Sequence, residues 1–482
     1  MKKKISIIMA IFLMASTFCI PAFAADTVVL RVSALKNDGT TVVIESYDNF
    51  EEGWEAAIDY AEDKKKMENN EYDRIVVDFY ADWIANDDGE FGDGGDGFEW
   101  NTIHITEDIR ITLNLNNHTI NRNLKEWENN GEVIYIDDNA DAIINNGTIT
   151  GGWSCNGAGG IHMKEDSRLT LNSVNIIGNS VDDDDGAGIA VYDGAVLNMN
   201  GGCVSHNASY NAVYGGGVYV NNGSAVFTDV TFENNQGFER STHGAAVYVD
   251  GGALIMEGCK VIGNGLTLTN DGTTCFGAYS IIDILNMSKV VIKETQFLDN
   301  GYAQETYVSS NLLKYTSVIS SQASYLTIEK CTFFNNNQVY LIESEATVLN
   351  AFDTDFSQNK SFAFYGNCAD GFDSAFTNCK FDYNGPLLGL DDTFFFNVSN
   401  ADLSFIDCNF GDATFNNKRA VQFVDSTEFN GSVASIFGEG SLTLIVSFVA
   451  LITSVAVLVV NIATNKKKTV PTTETEPSKV DN

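Results

Sequence analysis

Proline is nearly missing from this chain, four in 482 residues, and Lys plus Arg number only 28 against 65 Asp plus Glu. Scarce proline beside frequent Gly, Asn and Asp, with Phe and Tyr far outnumbering Trp, suits many short strands joined by tight turns. A net charge of −37 repels phosphate backbones, which excludes nucleic acid as a partner and leaves divalent cations or basic surfaces. The nine cysteines form no CxxC pair, so zinc is not expected.

Long apolar runs are absent except at the two ends. The first 24 residues have a basic start (Lys2, Lys3, Lys4), an apolar run from Ile5 to about Ala15, and Ala22-Phe23-Ala24 before Ala25, the anatomy of a cleaved secretory signal. Leu442 to Ala463 is 22 residues without a charge, enough to cross about 30 Å of hydrocarbon as a helix. Lys466, Lys467 and Lys468 follow at once and place the tail in the cytoplasm. No LPxTG-like box precedes the run, so a sortase anchor is excluded. The expectation is a single-pass protein of the cell membrane with its ectodomain outside the cell.

Between the ends one skeleton recurs: apolar at positions one, three and eight, Asn at position eleven. It begins at Leu113, Ala142, Leu169, Leu197, Ala225, Leu254, Val290, Leu326, Leu349, Ser374 and Leu403. Starts lie 23 to 36 residues apart, the spacing of a solenoid. Alternation inside the unit is that of a strand, and the LxxLxL spacing of leucine-rich repeats is missing. A second strand precedes each match, as in "GGGVYVNNGS" and "GAAVYVDGGA". Coiling such a unit stacks like strands in parallel, about 4.8 Å apart. Position eight is then a column of Ile and Val turning into Phe, and position eleven an Asn ladder, broken only by Gly152 and Ala413, at a corner where Asn tolerates left-handed backbone. Cys259, Cys331, Cys379 and Cys408 fall at position six as small core residues; only Cys379 and Cys408 lie on neighbouring coils, where a disulfide is an open alternative.

The chain therefore reads as all-β: a right-handed parallel β-helix of about eleven coils over 103–413, with a small α/β cap over 25–102 that carries one helix, and a C-terminal transmembrane helix. Residues 414–440 form the final coil and linker, 441–463 the span and 464–482 the cytoplasmic tail. In the cap, Trp54, Ala57, Ile58 and Ala61 stand at helical spacing, with Glu51 and Glu52 at the start and Lys64 to Lys66 beyond, matching the helix dipole. The following "RIVVDFYADW" reads as a strand, in a segment that covers the open end of the bore.

The paired signals "GGGV" or "GAAV" with "FENN", "FLDN", "FSQN" and "FDYN" resemble the GGA[ILV] and FxxN repeats of polymorphic membrane proteins, and the coil resembles the pectate-lyase-like superfamily. The opening "ITLNLNNHTINRN" is similar to the first coil of adhesin-like surface proteins. The resemblance spans about 103–413 and lacks the C-terminal β-barrel of the outer-membrane adhesins. It implies a fold, and a surface protein that presents its coils to glycans or protein partners.

Polysaccharide lyases and hydrolases of the superfamily need clustered Asp with calcium and an Arg or Lys base, or paired carboxylates. Here the coils hold few arginines (Arg110, Arg122, Arg168, Arg240, Arg419), no GHG or RIK-like signature, and one late carboxylate pair, Asp391-Asp392, best read as a surface turn. No catalytic residue is assigned. The enzyme remains the alternative to an adhesin-like binding protein.

In the strand before each match, one residue between two inward apolar side chains points outward. That slot reads Tyr135, His162, Ala190, Tyr219, Tyr248, Tyr279 and Tyr340. Tyr135, Tyr219, Tyr248 and Tyr340 are the candidate ligand-binding residues, as a platform for sugar rings or a partner's apolar patch; the plainer alternative is that they pack on each other. No cofactor is implied. Calcium is the one ion the acidic loops could hold, at Asp87, Asp88, Asp93 and Asp96, or at Asp182 to Asp185, and neither loop fits an EF-hand register.

Overall fold

A computed structural model describes residues 27–63, 72–85, 102–210, 214–237, 243–265, 267–268, 275–276, 279–301, 316–337, 340–381, 396–398, 403–410 and 421–424. The expected signal segment, the Asp87–Asp96 loop, Asp391-Asp392, Asn384, the membrane span and the tail lie outside these residues. Among the described residues no helix is long and apolar enough to cross a membrane.

The alternating pattern gives strands that pair in parallel with their equivalents one coil away. Leu169 pairs with Ala142 before it and with Leu197 after it, and the register continues through Ala225, Leu254, Val290 and Leu326 to Leu349. Beyond Ser374 and Leu403 a further strand, Val421–Val424, extends the stack. A second stack runs from Ile103 through Ile134, Ile161, Ile189, Val218, Val247, Ile282, Ile319 and Ile342 to Phe364. A third, shorter sheet joins residues 153–154, 180–182, 208–210 and 236–237. The described coils form a parallel β-helix.

Position eight fills the bore as expected. Ile120, Ile149, Ile176, Val204, Phe232, Val261, Phe297, Phe333, Phe356, Phe381 and Phe410 are all buried. Phe297 stacks on Phe333 at 4.4 Å and Phe356 on Phe381 at 5.2 Å. Burying each such ring is worth about 1.5–3 kcal/mol. The position-six cysteines are buried free thiols, Cys379 and Cys408 included. Each directs its Sγ at a backbone carbonyl, as Cys408 does to Phe376 at 3.2 Å.

From Asn179 to Asn359 position eleven is an amide ladder, and it stops at Gly152 as the sequence indicates. Asn179, Asn207, Asn235, Asn264, Asn300, Asn336 and Asn359 are buried, and each Nδ2 donates to the next Oδ1 at 2.8–3.2 Å. The expected left-handed backbone at these residues is corrected: in the ladder it belongs to the residue before. Gly178, His206, Asn234, Gly263, Asp299, Asn335 and Gln358 carry the positive φ. The chain turns there and aims the next side chain inward. A Cβ added to Gly160 or Gly188 would lie 3.1 or 3.2 Å from the Asn179 or Asn207 Nδ2, and one on Gly217 would lie 3.3 Å from the Asn235 Cγ. The glycine pair and the Asn are thus two walls of one corner, which is why the two signals travel together.

The opening coil also differs from its expected register, because Ile111, not Leu113, pairs with Ala142. Two extra residues, Asn116 and Asn117, make a left-handed bend that turns Leu115 inward. The coil above yields the space: a Cβ on Gly147 would meet the Leu115 Cβ at 2.4 Å.

In the cap, strands β1 (Leu30–Leu35) and β2 (Thr41–Tyr47) precede helix α1 (Phe50–Glu62). Asn49 caps α1, its Oδ1 accepting from the Glu52 N–H at 3.1 Å, and Glu51 and Glu52 sit in the first turn. Lys64 to Lys66 lie outside the described residues. Strand β3 (Arg74–Phe79) is itself a rung, pairing in parallel with Ile111 to Asn114, while β1 lies antiparallel on its other edge and β2 on β1. The end is therefore closed by a change from parallel to antiparallel pairing, with α1 against the last strands.

Candidate functional site

The outward slot of the second sheet is set by register. Reading across the pairs, it holds His104, Tyr135, His162, Ala190, Tyr219, Tyr248, Asp283, Ser320, Glu343 and Tyr365. The slots expected for Tyr279 and Tyr340 are thereby corrected to Asp283 and Glu343. On Ser280–Leu285 and at Leu341–Ile342 consecutive side chains are buried, so alternation alone does not fix which of them face outward. Tyr340 lies earlier on its strand, opposite Ser317, and stacks on Tyr365 at 4.7 Å.

Tyr219 and Tyr248 are each 5% exposed and Tyr135 is 8% exposed, so none of the three is the open platform that outward direction alone suggests. Neighbouring loops cover them. Tyr219 and Tyr248 pack with Ala158 and Ala190, with Tyr192 and Leu285 against them. Burial pushes both phenols up, as do nearby carboxylates: Asp185 for Tyr219, and Asp283 and Asp250 for Tyr248.

What the tyrosines belong to is a run of rings. His104 meets Tyr135 at 5.3 Å, Tyr135 meets His162 at 5.0 Å, His162 meets Tyr192 at 5.0 Å, and Tyr192 meets Tyr219 at 5.7 Å. Tyr219 stacks on Tyr248 at 5.5 Å, Tyr214 on Tyr248 at 4.5 Å, and His243 on Tyr279 at 5.0 Å. At its start His104 lines a cavity of about 370 Å³ shared with Trp54 and Trp83 of the cap. Further on, Tyr214 is 38% exposed and the His243 side chain 35% exposed. Tyr214, His243 and Tyr279 come from loop ends, where strand alternation leaves no signal; the Tyr or His directly before "GGGV", "GAAV" and "SIID" is the trace they leave in the sequence.

Charged groups gather beside the exposed rings. His243 Nδ1 and Asp283 Oδ2 are 2.6 Å apart, and Asp283 is buried. Glu343 lies two coils further in the same slot, about 10 Å away at the strand spacing. Burial, then the charges of Asp283 and Glu345, push the Glu343 carboxyl up to about 7, with His243 opposing. Asp185 is pushed up to about 6 by burial, although its carboxylate accepts from the Tyr214 N–H. His162 is driven down to about 4 by burial and the nearby Lys164, so its ring is neutral.

Of the expected calcium ligands, Asp87, Asp88, Asp93 and Asp96 fall outside the described residues. In the second acidic loop, Asp184 accepts from the Gly157 N–H of the preceding coil and from the Asp185 N–H, so both its oxygens are engaged by backbone. Among the described residues no group of three His, Cys, Asp or Glu is placed to hold a metal ion.

Residues 101–286 match the family described as the right handed beta helix region. The chain is a β-helix repeat protein. No curated protein and no solved structure matches it. The β-helix match fits the pectate-lyase-like superfamily in general, which includes enzymes and non-enzymes alike.

Proposed function

We propose that this β-helix is a cell-surface binding protein, adhesin-like and without chemistry of its own, that holds a glycan against the exposed end of its ring run. One observation carries the reading: Tyr214, His243 and Tyr279 form a partly exposed aromatic patch backed by the buried pair Tyr219 and Tyr248. Rings held rigid by stacking lose little entropy when a sugar face lies on them. The signal-like first 24 residues and the uncharged stretch 442–463 followed by three lysines support a membrane-anchored protein with its coils outside. Glycan-array binding of the full chain tests it. Tyr214→Ala is expected to remove retention with only a small drop in thermal midpoint, and undiminished retention would reject the patch.

A polysaccharide hydrolase or lyase is the second reading, and His243, Asp283 and Glu343 favour it. A carboxyl raised to about 7 is suited to act as an acid, and Asp283, two coils away in the same slot and held beside His243, is the second carboxyl such chemistry would use. Release of new reducing ends from a polysaccharide panel, lost in Glu343→Gln, would establish that reading over the first.

A further inference from the structure

Position six of the repeat is a column of small buried residues. Over the later coils it reads Cys259, Thr295, Cys331, Thr354, Cys379 and Cys408. Threonine and cysteine are interchangeable there, because each hydroxyl or thiol donates to the carbonyl two residues earlier. A threonine separates Cys259 from Cys331 and Cys331 from Cys379. Those pairs stand two coils apart, about 9.6 Å, beyond the reach of a disulfide.

Cys379 and Cys408 have no such spacer. Lys380 pairs in parallel with Asn409, and the Asn409 N–H donates to the Cys379 carbonyl at 2.9 Å, so the two cysteines face each other one coil apart. One coil is about 4.8 Å between Cα atoms, within the range of about 4.4–6.8 Å that a disulfide spans. The two thiols lie within hydrogen-bonding reach, and the Cys379 S–H holds the Cys408 thiol below its ordinary value. Burial instead pushes Cys259 up to about 11 and Cys331 up to about 12. The facing pair thus has both the geometry to bond and a sulfur ready to attack.

We propose that Cys379 and Cys408 are a redox site of the fold, joined as a disulfide that fastens the last two repeats together when the chain folds in the presence of a disulfide oxidant. This goes beyond the binding reading and is independent of it. The Cys408 thiolate attacks one sulfur of the oxidant; its S–S bond breaks, a mixed disulfide forms and one thiolate leaves. Cys379 gives its proton to solvent, attacks the Cys408 sulfur and expels the second thiolate. The pair loses two electrons and the oxidant becomes two thiols. Both sulfurs are buried once the coils close, so the exchange belongs to folding, and the finished bond is shielded from reductant.

The test refolds the reduced full chain with glutathione disulfide, alkylates the remaining thiols in denaturant, and maps peptides by mass spectrometry without reduction. The Cys379 and Cys408 peptides are expected as one linked species, while Cys259 and Cys331 carry the alkyl label. The bridged chain is expected to melt about 3–6 °C above the reduced chain. Cys379→Thr and Cys408→Thr install the residue that the column already uses at Thr295 and Thr354. Each is expected to remove the redox dependence of melting, and Cys259→Thr to keep it. Alkylated Cys379 and Cys408 after oxidative refolding, or either of them bonded elsewhere, overturns the assignment. Equal melting of bridged and reduced chains overturns the fastening.

Discussion

The Asn207 Nδ2 donates to the Asn235 Oδ1 one coil on at 3.0 Å, and the Asn207 backbone N–H donates to the same oxygen at 3.2 Å. One side chain thus satisfies two buried donors of its neighbour, while its own Nδ2 reaches the Val204 carbonyl at 2.8 Å. Asn235→Ala would remove the acceptor of the Asn207 N–H and of one Asn207 Nδ2 hydrogen, the Ile176 carbonyl still holding that Nδ2 at 3.0 Å, and would take the Nδ2 donor from the Val204 carbonyl. Leaving a buried polar group unsatisfied costs about 1–3 kcal/mol, and partial relaxation brings the expected loss to about 3 kcal/mol. A denaturant midpoint equal to that of the unaltered chain would show that the ladder contributes nothing to stability.

Glu132 is fully buried, and neither carboxylate oxygen makes a hydrogen bond of good geometry. Burial raises it from 4.5 to about 7, with Arg122 and Ser154 offsetting only part of the effect. A raised carboxyl holds its proton in the fold and loses it sooner when unfolded. Stability from this group is therefore full below about pH 4.5 and declines as pH rises towards 7 and beyond, by about 3 kcal/mol in all. Glu132→Gln is expected to flatten that part of the curve. Thermal melts of both chains at mildly acid and alkaline pH check it, and parallel curves count against the assignment.

Burial separates two tyrosines that touch. Tyr248, 5% exposed, is expected to lose about 3–5 kcal/mol on replacement by Ala, whereas Tyr214, 38% exposed, is expected to lose about 1 kcal/mol or less. If melting shows the two replacements to be equally damaging, the patch is part of the core rather than a surface.

Gly217 stands where a Cβ would come 2.4 Å from the Ala246 carbonyl oxygen and 3.3 Å from the Asn235 Cγ. Gly217→Ala is expected to lose about 1–3 kcal/mol by forcing backbone apart at the corner. Hydrogen exchange should quicken first at residues 216–218 and 235–236; protection unaltered there would mean that the corner has slack.

Much of the helix was legible because each coil repeats the same local demand. Ile176, Val204 and Phe232 occupy position eight for one reason, a bore that takes one apolar side chain per turn, and counting along the chain recovers them. The count slipped where residues were inserted and where consecutive side chains are buried. Asn116 and Asn117 shifted the first coil by two, the long loop before Ile282 put Asp283 where Tyr279 was expected, and consecutive burial of Leu341 and Ile342 hid the phase that puts Glu343, not Tyr340, in the slot.

From residue order alone come the coil, its period, its Asn corner, the inward columns and the two apolar ends, since periodic burial writes itself into every repeat. The tertiary structure alone decided which outward side chains stay open to water. Tyr219 and Tyr214 differ in exposure because Tyr219 lies among Ala158, Ala190, Tyr192 and Tyr248 with Tyr214 stacked against it, which leaves Tyr214 on the outside. Meetings such as His243 with Asp283, forty residues apart, depend on coil lengths that obey no period, so no local pattern encodes them.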